Sequence, residues 1–141
     1  MQIWSASIEN SRKGTLYKLF KQHDLSIECY LLSDIPVYYK KCLTKYRTTN
    51  HRLPIEVGRW NNVIRNDRKC ELCNLDEIGD EYHYLLVCSH FSDTRSRYID
   101  RTYYTYPNMY KFVNLITTTD NNVLLKLCKF IAHILKFWAN V

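Results

Sequence analysis

The stretch "CELCNLDEIGDEYHYLLVC", Cys70 to Cys88, places three cysteines and one histidine within nineteen residues. The spacing is C-x2-C-x9-H-x4-C, with Cys70, Cys73, His83 and Cys88 as its members. A C-x2-C pair on a tight turn presents two thiolates to one side of an ion, and H-x4-C delivers a third and fourth soft ligand from a second segment. Three thiolates and one imidazole, with no open position, describe a structural zinc site rather than a catalytic one. The competing reading is a set of buried cysteines with a core histidine. His90, two residues past Cys88, competes with His83 as a ligand.

Which reading applies depends on redox setting. The N-terminal "MQIWSASIENSRKG" holds no apolar run of signal-peptide length, and "VLLKLCKFIAHILKFWANV" is interrupted by three lysines and a histidine. The chain therefore reads as intracellular, nuclear or cytoplasmic, without a membrane span. In such compartments thiols stay reduced, so six cysteines point to metal or core rather than disulfides. Cys29, Cys42 and Cys128 stand alone on apolar stretches and are expected in the core.

The fold class expected is mainly α: a small helical domain with an embedded single-zinc Cys3His module. It divides into a helical N-terminal part with a basic segment (1–60), the zinc-binding module (61–100) and C-terminal helices packing on the core (101–141). With 46% apolar residues the chain can bury a core. Ile3, Trp4 and Ile8, then Leu16, Tyr17, Leu19 and Phe20, recur at roughly helical spacing. "PVYYKKCLTKYRTT" starts a helix at Pro36 and turns Val37, Tyr38, Cys42 (or Leu43) and Tyr46 inward. "HRLPIEVGRWNN" reads as irregular, punctuated by Pro54 and Gly58. Within the module, Gly79 closes a polar turn and Asp80 caps a short helix "EYHYLLV" that carries His83 inward. Tyr82, Leu85 and Leu86 then cover the metal, and a further helix follows over about Phe91 to Ile99. "YYTY" near Tyr103 is extended or a loop. Two helices close the chain. One buries Met109, Phe112, Val113 and Ile116, the other Leu124, Leu127, Ile131, Leu135 and Trp138.

Charge is uneven. From Pro36 to Cys70 there are nine Lys or Arg against two acids; from Glu71 to Asp100, two Arg against seven acids. A basic, aromatic-interleaved segment suits phosphate contact and base stacking. Its candidate nucleic-acid-binding residues are Arg47, Arg52, Arg59, Trp60, Arg65, Arg68 and Lys69, with Lys45 and Tyr46 beside them. Arg52, Arg59, Arg65 and Arg68 are expected to line a groove, with Trp60 or Tyr46 as a stacking surface. In the competing view some of these arginines pair with Glu56, Asp76, Glu77 or Asp80 inside the fold.

"KYRTTNHRLPIEVGRW", then "RKCELCNLDEIGDEYHYLLVC" and "RSRYI", resembles the C-terminal zinc-binding region of LINE-type (non-LTR) retrotransposon reverse transcriptases. The likeness covers about Lys45 to Ile99 and places the family's Cys, Cys, His, Cys ligands on Cys70, Cys73, His83 and Cys88. Glu81 and Tyr82 occupy the family's usual positions before the histidine. The resemblance implies one structural zinc, RNA or DNA as partner, and upstream polymerase domains in a full-length element. The gap of nine between ligands is longer than in retroviral zinc knuckles, so knuckle-style base recognition is not implied. The chain has no adjacent Asp-Asp pair of the polymerase palm, no P-loop, no H-E-x-x-H and no G-x-S-x-G. It is expected to be a detached, non-catalytic fragment. The alternative is a zinc-stabilised protein-protein interaction domain acting through its aromatic-rich acidic half, Tyr82 to Tyr110.

Overall fold

The computed structural model describes residues 16–19 and 27–139. The helical readings over Ile3, Trp4, Ile8 and Phe20 lie outside them. Among the described residues the fold is mainly helical, and the only β pairing is an isolated bridge between Lys69 and Ile78.

Helix α1 is Val37–Arg47, entered through Pro36 at its N-cap. Its buried face is Cys42, Leu43, Tyr46 and Arg47. Val37 and Tyr38, expected inward, are exposed, because the first turn overhangs the core. The helix ends with Thr49 in the left-handed region (φ 59°) and a bond from Asn50 N–H to the Lys45 carbonyl at 2.8 Å. That pairing satisfies carbonyls the last turn would otherwise leave open.

Helix α2, Pro54–Trp60, occupies a segment read as irregular. Pro54 sits in the first turn, where its missing N–H costs nothing. Gly58 reflects close packing: a Cβ there would lie 2.5 Å from Cγ of Arg68. Asn62, at φ 58°, closes the helix, with Val63 N–H donating to the Gly58 carbonyl at 2.8 Å.

After the module come α3 (Ser92–Tyr98), α4 (Arg101–Tyr104), α5 (Met109–Ile116) and α6 (Asn121–Ala139). The "YYTY" region is thus partly helical, started by the Asp100 carboxylate accepting from Thr102 N–H. Asn108 and Asp120 cap the next two helices in the same way. On α5, Phe112, Leu115 and Ile116 are buried and Met109 is exposed, which corrects its inward placement. On α6, Leu124, Leu127, Cys128, Phe130, Ile131 and Ile134 are buried, while Leu135 and Trp138 are half-buried.

Helix α6 is the backbone of the molecule. It packs against α1, α3 and α5, and its apolar side chains join one core cluster running from Leu16 to Ile134. That cluster takes in Cys70, Leu85, Leu86 and Cys88. Each fully buried Leu, Ile or Phe contributes about 1.5–3 kcal/mol. Cys42 and Cys128 are core residues as expected; Cys29 is exposed, in a 3-10 turn whose buried member is Tyr30.

A candidate metal centre between a hairpin turn and a widened helical turn

Two local structures bring the four predicted ligands together. The first is a narrow loop. Lys69 pairs with Ile78, Cys70 N–H donates to the Glu77 carbonyl at 2.9 Å, and Gly79 N–H donates to the Arg68 carbonyl at 2.9 Å. Cys70 and Cys73 face each other across the turn, their sulfurs 3.8 Å apart. The Leu72 N–H points at Cys70 Sγ, 3.3 Å away. Asp76, in the left-handed region at φ 55°, completes the loop.

The second is a π turn, His83–Val87. Asp80 starts it, its carboxylate accepting from His83 N–H at 2.9 Å. Cys88 N–H then donates to the His83 carbonyl at 2.8 Å. On an α-helix, residues five apart point about 140° away from each other. The i to i+5 bond widens the turn and brings His83 and Cys88 onto one side. Sequence reading expected an ordinary short helix here. The extra residue per turn is what lets H-x4-C act as a pair.

Cys70, Cys73, His83 and Cys88 offer ligand atoms that all lie within 4.8 Å of one another, a group that can hold one metal ion. The Cys70 and Cys88 sulfurs are 3.8 Å apart, and Cys73 Sγ is 3.4 Å from His83 Nε2. A tetrahedron with metal–sulfur bonds of about 2.3 Å has sulfur–sulfur edges of about 3.8 Å. The spacing therefore suits a four-coordinate cation.

Charge and hydrogen bonding suit it too. Burial holds the His83 imidazole below its ordinary pKa, which favours the neutral ring that a ligand must be. Burial pushes the Cys88 thiol up to about 12, so its thiolate needs a neighbouring cation. The Tyr84 hydroxyl is buried without a hydrogen bond of good geometry, facing Cys70 Sγ. A thiolate at Cys70 would give it an acceptor.

Three contributors were not apparent from the sequence. Glu77, Arg95 and Tyr84 surround the ligands. Glu77 is bonded to Nδ1 of His83. Arg95, on α3 and buried, donates to the carbonyls of Leu85 (2.7 Å), Tyr84 (3.0 Å) and Cys88 (2.9 Å). Arg95 thus supplies side-chain donors at the end of the π turn, while the Cys88 carbonyl also accepts from Phe91 N–H at 3.4 Å. His90 is exposed and packs on the rings of Phe91 and Phe137, outside the ligand group.

The predicted basic residues are scattered in role. Arg47 is buried, 3.3 Å from Glu28 and over the ring of Tyr30. Arg59 makes two bonds to Glu56, of 3.0 and 2.9 Å. Arg68 donates to the Val63 and Ile55 carbonyls and fixes the end of α2. Lys69 pairs with Asp76 at 2.8 Å, and Arg65 lies 3.9 Å from Asp80. Tyr46 is fully buried, its hydroxyl donating to the Glu81 carbonyl, so its ring offers no stacking surface. Arg52 and Trp60 are exposed, and Arg52 has no ion-pair partner among the described residues.

Compared with family models, with curated proteins and with solved structures, the chain matches none. Among the described residues no helix is long and apolar enough to cross a membrane.

Proposed function

We propose that this chain is a non-catalytic, zinc-stabilised nucleic-acid-binding module. The observation that carries the reading is the closed Cys3His group, all four ligand atoms within 4.8 Å, embedded in a chain of net charge +6. Three sulfurs and one imidazole nitrogen favour zinc over hard cations, which prefer oxygen. A closed set leaves no position for substrate, so zinc bound there supplies folding energy and no reaction chemistry. Cys70, Cys73, His83 and Cys88 would hold it. The excess of positive charge supports a polyanionic partner. The resemblance to the zinc-binding region of LINE-type reverse transcriptases supports the same partner, RNA or DNA.

A second reading has an observation of its own. Tyr106, Met109 and Tyr110 form an exposed apolar group, with Tyr106 88% and Tyr110 76% accessible, which fits a protein-interaction domain. A salt titration of binding to labelled single-stranded RNA separates the two. Affinity that falls steeply with salt supports the nucleic-acid module. No measurable affinity at low salt overturns it and favours the protein-interaction domain.

A further inference from the structure

The arginines next to the metal module are largely committed to internal contacts. The cleft of ≈ 560 Å³ that Arg59, Arg65 and Arg68 line is also lined by Glu56, Asp80 and Glu81. Phosphate entering it would meet carboxylates already paired with the two exposed-side arginines, Arg59 and Arg65. A cleft of ≈ 440 Å³ at Lys69 carries Asp67 and Glu71.

A third cleft, of ≈ 650 Å³, differs from both: no carboxylate lines it. Its wall on α1 carries Tyr38 and Lys45, seven residues apart and so on one helix face. Its wall on α6 carries Leu135 and Lys136. Arg52, from the turn after α1, and Trp60, from the end of α2, close it. Lys45, Arg52 and Lys136 have no ion-pair partner among the described residues, and all three are exposed. Tyr38 and Trp60 expose 61% and 51% of their surface.

Three uncommitted cations around two exposed aromatic rings match one kind of ligand well. The cations meet backbone phosphates, while the rings give unpaired bases a face to stack on. A duplex keeps its bases stacked on each other and can use only the cations. The geometry points to the Tyr38–Lys45–Arg52–Trp60–Lys136 cleft as a binding site for single-stranded nucleic acid, recognised through phosphate and base face and not through the sugar. This rests on the nucleic-acid reading above and gives it a location, one that includes a residue of α6 far from the basic segment.

The test is a salt series of anisotropy titrations with labelled oligouridylate, labelled oligothymidylate and a labelled DNA duplex of equal length. The expected result is that both single strands bind at least tenfold tighter than the duplex. Lys136→Glu and Arg52→Ala lower affinity, and Arg52→Ala lowers the log–log salt slope by about 0.7. Trp60→Ala lowers affinity about tenfold or more and leaves the slope unchanged. Arg59→Ala, whose side chain is bonded to Glu56, leaves both nearly unchanged. Lys136 is exposed on a helix surface, so its replacement keeps the fold, and bound metal is measured for each variant. If the parent binds but Lys136→Glu and Arg52→Ala keep its affinity and slope, the cleft assignment is wrong and the module reading stands. Duplex binding as tight as single-strand binding also overturns the assignment. If the parent binds none of the three probes, both readings fall.

Discussion

Oε2 of Glu77 lies 3.2 Å from Nδ1 of His83, on the opposite edge of the ring from Nε2, which faces Cys73. A carboxylate there selects the tautomer that leaves Nε2 free, fixes the ring's rotation and raises its basicity as a ligand. Glu77 belongs to the same loop as Cys73, so the first ligand turn also orients the third ligand. Replacing Glu77 with Ala should weaken metal binding about 10- to 100-fold with little change in the number of metals bound. Competition against a chromophoric chelator measures this. Equal affinity in parent and variant would mean the half-exposed carboxylate is a bystander.

The metal itself is the next expectation. Purified chain should carry one equivalent of zinc by elemental analysis. Cys73→Ser should lose it, as should strong chelation, and acid should release it because protons compete for thiolate and imidazole. The segment from Lys69 to Ile99 should then unfold, since a bound ion would tie its two ligand pairs together. A chelated, metal-free chain whose amides over this segment stayed protected from exchange would contradict this.

Arg95 should be more costly to lose than its neighbours. Arg95→Ala would strip donors from the carbonyls of Tyr84, Leu85 and Cys88. The Cys88 carbonyl keeps Phe91 N–H, but the other two lose their donor; a buried acceptor left without one costs about 1–3 kcal/mol, so a total loss of at least about 2 kcal/mol is expected. Arg95→Lys should recover only part, because a single ammonium cannot reproduce the fork of the guanidinium. Arg97→Ala, two residues on and exposed, should be near neutral. Denaturant midpoints of the three variants would decide it.

Helix α2 offers a test of sign. Alanine normally strengthens a helix over glycine, by about 1 kcal/mol. At Gly58 the added methyl would meet Cγ of Arg68 at 2.5 Å and Cδ at 2.8 Å. That stem cannot swing away freely, because its guanidinium is tied to the Val63 and Ile55 carbonyls. Overpacking of this kind costs about 1–3 kcal/mol, so Gly58→Ala should lower the thermal midpoint. A raised midpoint would show that Arg68 yields.

These residues also show where the sequence was readable. Cys70, Cys73, His83 and Cys88 stood out because chemistry demands that composition at that spacing, whatever surrounds it. The long amphipathic run of α6 was legible for a similar reason: nineteen residues average out local exceptions. Short elements were not. Pro54 and Gly58 read as breakers, yet one sits where a helix tolerates proline and the other where Arg68 leaves no room for a side chain. Val37 and Tyr38 fit the apolar stripe of α1, but periodicity cannot tell which turn lies beyond the edge of the core. Arg95 in "SDTRSRY" looks like any solvated arginine, since nothing local announces the three carbonyls it meets. The arginines of the basic segment raised the same difficulty in reverse. Their number was legible; which of them Glu56, Asp80 or a backbone carbonyl would claim was not.

One contact bears on how such a chain is made. The ring of Tyr84 meets Trp138 of α6 edge-on, 5.4 Å between centroids. A nascent chain leaving the ribosome presents all four ligands long before Trp138 emerges. An ion could then be captured before the Tyr84–Trp138 contact forms. If an ion binds there, the last turns of the helix would close over Tyr84 only after the ion is held, and the order of synthesis would become an order of commitment.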